Sequence, residues 1–173
     1  MTTRKLVSIT FTAALFGGLS LSALADKAPE EVQVPEGNRI AMETVGVGNI
    51  TYACEMKDGA LAWVFKGPDA VLNDADGKQV GTYYGPPATW ESSDGSKITG
   101  SEVGKASGGD GNIPLQLVKA NPAEGEGHMT DVTYVQRLNT QGGVAPDMAC
   151  SADNQGDTEI VEYQADYNFF KAS

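Results

Sequence analysis

The sequence predicts an all-β domain: a single antiparallel β-sandwich or barrel built from successive hairpins, with little or no helix after an N-terminal leader. Three observations predict it. Asp-Gly pairs stand at Asp58-Gly59, Asp76-Gly77, Asp94-Gly95 and Asp110-Gly111, at steps of 18, 18 and 16 residues. Asp-Gly between alternating runs favours a hairpin, because a type I′ turn requires positive φ at both central residues. The runs between and beyond these pairs alternate with a period of two, as half-buried strands do. Beyond the leader, no stretch of ten or more residues shows the 3.6-residue period of an amphipathic helix. Turn signals every 8–12 residues then favour a sandwich or barrel.

Residues 1–25 read as a cleaved signal peptide. Arg4 and Lys5 precede a small and apolar run from Leu6 to Leu24, and Ala23-Leu24-Ala25 has the small-x-small pattern of a cleavage site. Serines and threonines dilute the run below what a membrane span of about 20 residues needs, so no stable membrane anchor is expected after cleavage. Residues 26–38 carry Pro29 and Pro35 and read as an extended lead-in. The β-rich domain then runs from 39 to 173. Within it, Arg39 to Val45 is a strand candidate and Gly46-Val47-Gly48 a turn. In the next strand Ile50, Tyr52, Cys54 and Met56 share the inward face. From Asp58 and Asp76 two units align, Gly67-Pro68 against Gly85-Pro86 and Leu72 against Trp90, each read as strand, Gly-Pro turn, strand. Ile113 to Lys119 is a strand with Leu115 and Leu117 inward. Thr130 to Asn139 is another, and Glu159 to Phe170 closes the chain with Val161, Tyr163, Ala165, Tyr167 and Phe169 inward.

Charge and cysteines narrow the compartment and the partners. The 12 basic residues less Arg4 and Lys5 leave 10 against 23 acids in the mature chain, a net charge of −13. That field repels nucleic acid and anionic lipid. Cys54 and Cys150 are the two cysteines of the chain, and an even count behind an export signal predicts a disulfide, two buried free thiols being the alternative. The protein is therefore expected to be exported, periplasmic or secreted.

Several blocks carry a family resemblance. They are Val34-Pro35-Glu36-Gly37-Asn38-Arg39, Tyr52-Ala53-Cys54, Trp63-Val64-Phe65, Val80-Gly81-Thr82-Tyr83-Tyr84-Gly85-Pro86, Trp90 with Asp94-Gly95-Ser96-Lys97, and Tyr134 to Thr140 followed by Gly142-Gly143-Val144-Ala145-Pro146. Across nearly the whole mature chain they resemble the domain of unknown function DUF3455. The resemblance implies an exported, β-rich protein and no defined activity. Many members carry a His in the block where this chain has Tyr83, which counts against an imidazole role there. Some relatives are labelled malate dehydrogenase. Gly46-Val47-Gly48-Asn49-Ile50-Thr51 lacks the third glycine of a dinucleotide fingerprint and runs into a strand, so a nicotinamide-dependent dehydrogenase is not expected.

Chemistry-bearing residues are few. His128 is the one histidine and sits in a glycine-rich loop with no serine marked as its partner, so it reads as a solvated polar residue. No cofactor is expected. Asp74 and Asp76, in Asn73-Asp74-Ala75-Asp76-Gly77, are candidate calcium ligands, although the distal carboxylate of a calcium loop is missing and an Asx-rich turn explains them without an ion. Glu55 and Glu91 are candidate carboxylates for a hydrolase or lyase. Tyr83, Tyr84, Trp90 and Arg137 are the candidate ligand-binding residues, because aromatic rings on one sheet face stack on sugars and other flat ligands. Core packing competes for the aromatics. For Arg137, a structural pair with an acid such as Glu55 competes with an anionic ligand. The sequence thus favours an exported non-catalytic β-domain that binds a small ligand, glycan or envelope protein. A carboxylate- or Tyr-based enzyme and a structural, stress-protective envelope protein are the alternatives.

Overall fold

The computed structural model describes residues 28–173; the expected signal peptide lies outside them. Of the two architectures expected, the chain forms the barrel. Eight strands, β1 (Asn38–Lys57), β2 (Ala60–Asn73), β3 (Gln79–Tyr84), β4 (Thr89–Ser92), β5 (Lys97–Ala106), β6 (Leu115–Ala120), β7 (Val132–Gly142) and β8 (Thr158–Ala172), pair antiparallel in sequence order. β8 returns to pair with β1 and closes the ring, which removes the exposed edges that an open sheet would present. A 3-10 turn at Glu30–Val32 is the one helical element among the described residues.

Strict up-and-down order sorts the connections to two ends. The β1–β2, β3–β4, β5–β6 and β7–β8 loops meet at one end. The β2–β3, β4–β5 and β6–β7 loops meet at the other, with the lead-in and the C-terminus. The interior is filled by side chains, with Leu72, Trp90, Ile98, Met129, Tyr167 and Phe169 among those fully buried. As the period of two requires, Ile50, Tyr52 and Cys54 on β1 and Tyr163, Ala165, Tyr167 and Phe169 on β8 are buried, while Met56 emerges beyond the rim.

Three local expectations are corrected. Gly46-Val47-Gly48 does not turn the chain; β1 runs through it unbroken. A Cβ on Gly46 would sit 2.5 Å from the Tyr167 ring, and one on Gly48 would collide with the backbone of Ala70, so these glycines make room for close packing. Gly67-Pro68 is likewise no turn. β2 continues through it, at a register shift against β1 between Thr51 and Tyr52, and Gly67 lies against Gly85 of the β3–β4 turn. That turn does fall at Gly85-Pro86, with cis bonds at Gly85-Pro86 and Pro86-Pro87. Leu117 is buried, but on the outer face, where its partner Gly104 lies against Glu31; Val118 is the β6 residue of the barrel core. The lead-in is thus part of the packed structure, and Gln136 anchors it by donating to the Val32 carbonyl at 2.7 Å.

Of the Asp-Gly turns, Asp58-Gly59 has positive φ at both residues (51° and 86°), the type I′ signature. In the other three only the glycine is positive, and the Asp76-Gly77 turn is capped from two residues upstream. The Asp74 carboxylate accepts from the backbone N–H groups of Asp76 and Lys78 at 3.0 and 2.9 Å.

Candidate functional site

One cluster of aromatic side chains lies inside the barrel. β3 and β4 put Tyr83 and Trp90 directly opposite one another, stacked with ring centroids 4.7 Å apart, and Tyr167 from β8 tilts against Tyr83 at 5.2 Å. The Tyr163 and Tyr167 hydroxyls are 3.2 Å apart. Arg137 on β7 pairs with Tyr167 across the ladder, near enough for its charge to act on these phenols. Burial pushes the hydroxyls of Tyr52, Tyr83, Tyr163 and Tyr167 above the ordinary tyrosine value, and the arginine charge acts on each in the opposite sense. Four neutral phenols around one cation are a compatible set, because hydroxyl oxygens accept where a guanidinium only donates.

Of the four residues expected to form a ligand face, Tyr83 and Trp90 are buried and stacked in the barrel core, and Arg137 is half-buried, opposite Tyr167 in the ladder. Tyr84 points outward, as the neighbour of an inward residue must, and donates to Glu91 at 2.7 Å, which raises its pKa. The expected pair between Arg137 and Glu55 does not form. Glu55 meets Lys66 at 3.0 Å, and Arg137 donates through Nε and Nη2 to the Pro114 carbonyl at 3.1 and 2.8 Å. Glu55 sits on the opposite side of the β1 pleat from Tyr52 and Cys54, so its carboxylate cannot enter the barrel.

These interior contacts belong to a wider closure of one end. Cys54 and Cys150 form a disulfide across 96 positions. Trp63 Nε1 donates to Met148 O at 2.8 Å, and the Tyr52 hydroxyl donates to Gly143 O at 2.8 Å. Ile113 from the β5–β6 loop joins the core from the same side. The β7–β8 loop is thereby stapled over the barrel mouth.

The opposite end holds what the sequence did not reveal. The His128 side chain is solvent-exposed, as expected of a loop histidine, but it has partners. Its backbone N–H donates to Asp94 Oδ2 at 2.7 Å, and its Nδ1 faces the same oxygen. Ser96 donates its hydroxyl to Asp94 Oδ1 at 2.6 Å and accepts from Met129 N at 3.1 Å. The Ser96 hydroxyl, with the backbone N–H groups of His128 and Ser96, holds the Asp94 carboxyl well below the usual carboxylate range. Ser92 Oγ lies 3.4 Å from His128 Nδ1. Serine, histidine and aspartate are thus together, but both partners meet the same ring nitrogen, whereas a relay needs one on each. The cluster instead clips the β6–β7 loop to the β4–β5 turn, beside an ion pair of Lys97 and Glu124 at 3.2 Å.

That loop forms one wall of an open groove of about 800 Å³ at the same end. β7 and the ends of β1, β6 and β8 supply the rest: Arg39, Lys119, Tyr134, Lys171 and Ala172 line it, with Thr130 and Pro122 from the loop. Arg39, Lys119 and Lys171 come from well-separated stretches of the chain, and only the barrel closure brings Arg39 and Lys171 together. Among the described residues, no three His, Cys, Asp or Glu side chains converge to hold a metal ion.

The family model described as "Protein of unknown function (DUF3455)" matches residues 35–171. The chain belongs to the DUF3455 family. The match begins at Pro35, just after the turn that packs on β5 and β6, and ends at Lys171 of the groove, so it reaches all eight strands of the DUF3455 barrel. No curated protein and no solved structure matches the chain.

Proposed function

We propose that this DUF3455 protein is an exported, non-catalytic β-barrel that binds a small ligand or glycan in the groove bordered by the β6–β7 loop. The observation that carries the reading is the groove itself. Its volume of about 800 Å³ falls within the range of roughly 300–1,000 Å³ typical of small-molecule sites. It also combines a tyrosine ring, hydroxyls and cationic donors on rigid strand ends. Export is supported by the leader-like residues 1–25 and by the Cys54–Cys150 disulfide, a bond that persists in oxidising compartments. The non-catalytic reading is supported by the Ser92–His128–Asp94 geometry and by the engagement of Tyr83, Trp90 and Arg137 in packing.

A thermal-shift screen against neutral and acidic oligosaccharides and small organic acids tests this reading. A ligand at 100 times its dissociation constant adds about 2.7 kcal/mol of stability. Ala172→Trp, which places an indole at an exposed groove position, is expected to abolish the shift. A hit that survives Ala172→Trp, or turnover of any hit, contradicts the proposal.

A further inference from the structure

The groove has a charge character at odds with the rest of the molecule. The 12 basic residues of the chain, less Arg4, Lys5 and Lys27, leave nine among the described residues, against 22 acids there, the 23 of the chain less Asp26. Three of those nine, Arg39, Lys119 and Lys171, line this one groove. Arg39 on β1 and Lys171 on β8 are directly opposite in the ladder, and like charges so placed destabilise a sheet. A nearby carboxylate would relieve them. Among the described residues, no carboxylate oxygen lies within 4.0 Å of any of the three cations. Glu126 and Asp131 also line the groove, but from the loop side and without pairing to them.

We propose that the groove takes an anionic ligand carrying at least two carboxylate or phosphate groups on a body about the size of an oligosaccharide. This rests on the reading of the groove as the ligand site. The Arg39 fork suits a planar or tetrahedral oxyanion with paired N–H donors, and Lys171 beside it contributes a second charge. Lys119 stands opposite Tyr134 on the β6–β7 ladder, so the third cation has an aromatic cross-strand neighbour, and both line the groove. The net negative surface disfavours anions elsewhere, so an anion bound here is held by local contacts rather than by the field of the whole protein.

Calorimetric titration of the purified protein with trigalacturonate, tripolyphosphate and neutral maltotriose tests the inference and separates the sources of charge. At least one polyanion is expected to saturate one site and to weaken as salt is raised. The Arg39→Ala/Lys171→Ala double variant is expected to weaken it at least tenfold. Lys105→Ala, outside the groove, is expected to leave it unchanged. Relieving a like-charge pair should not lower the melting temperature, so a loss of binding is not a loss of fold. The proposal is overturned if neither polyanion binds, or if the double variant binds as the parent does. Maltotriose binding equal to trigalacturonate, with both blocked by Ala172→Trp, overturns the anionic character while the ligand site stands. If nothing that binds is blocked by Ala172→Trp, both readings fall.

Discussion

The two ends of this barrel are built from the same alternating strands, yet they are finished differently. At one end the β7–β8 loop is fixed to β1 and β2 by the Cys54–Cys150 disulfide, by Trp63 and by Tyr52. Arg137 fastens the β5–β6 loop through Pro114. At the other end the β6–β7 loop is held by a side-chain clip at Asp94, Ser96 and His128 and leaves an open groove beside it. The difference shows where the chain spends its aromatic and covalent contacts: on closing one mouth and filling the interior. Among the described residues, Arg39, Lys119 and Lys171 at the opposite rim have no carboxylate within 4.0 Å, a partner that the proposed ligand would supply.

Variants that attack the closed end should cost most. Replacing both cysteines, Cys54→Ser with Cys150→Ser, opens a loop of 96 positions, for which chain entropy alone gives about 4–5 kcal/mol. Urea unfolding of the variant against the parent measures it. A loss no larger than that of an ordinary surface substitution, about 0.5 kcal/mol, would erase the contrast between the ends. Arg137→Met keeps much of the side-chain volume but removes both donors to Pro114 O. Pro114 is half-buried, so water replaces part of the lost bonding, and the expected loss is about 1 kcal/mol by the same unfolding measurement.

Titration distinguishes the two regions with opposite signs. The interior phenols have raised folded pKa values. Their contribution is fully present below the ordinary tyrosine value of about 10 and is lost as pH rises above it. Unfolding midpoints should therefore fall in alkali while tyrosinate absorbance of the folded protein lags behind free tyrosine. Asp94 at the groove end has a lowered folded pKa. Its contribution is present above the ordinary carboxylate value of about 4 and is lost as pH falls below it. Asp94→Asn should flatten part of that acid-side decline and loosen residues 121–131. An unchanged acid profile would show that the clip does not hold the loop.

How much of this was legible beforehand depends on the range of the interaction. The period of two in β8 located Tyr163, Tyr167 and Phe169 inside, because alternation is a local property of the strand. The disulfide could be paired because only two cysteines exist. Gly46 and Gly48 misled, since a glycine that admits a neighbouring ring looks in sequence like a glycine that turns the chain. Arg137 was recognisable as a special residue, but its partner is a backbone carbonyl, which no side-chain inventory displays. The groove was invisible for a topological reason. Arg39, Lys119 and Lys171 meet only because β8 closes onto β1 and β7, and no local pattern marks that closure.

The contrast between a stapled end and the proposed binding end is tested most directly by hydrogen exchange, resolved along the chain, with and without the tightest-binding oligosaccharide or polyanion. The barrel described here predicts slowed exchange at residues 119–134 and at the chain ends near Arg39 and Lys171, with no change in residues 107–114 or 143–157. Protection centred on those two closed-end loops, or on the strands around Tyr83 and Arg137, would contradict it.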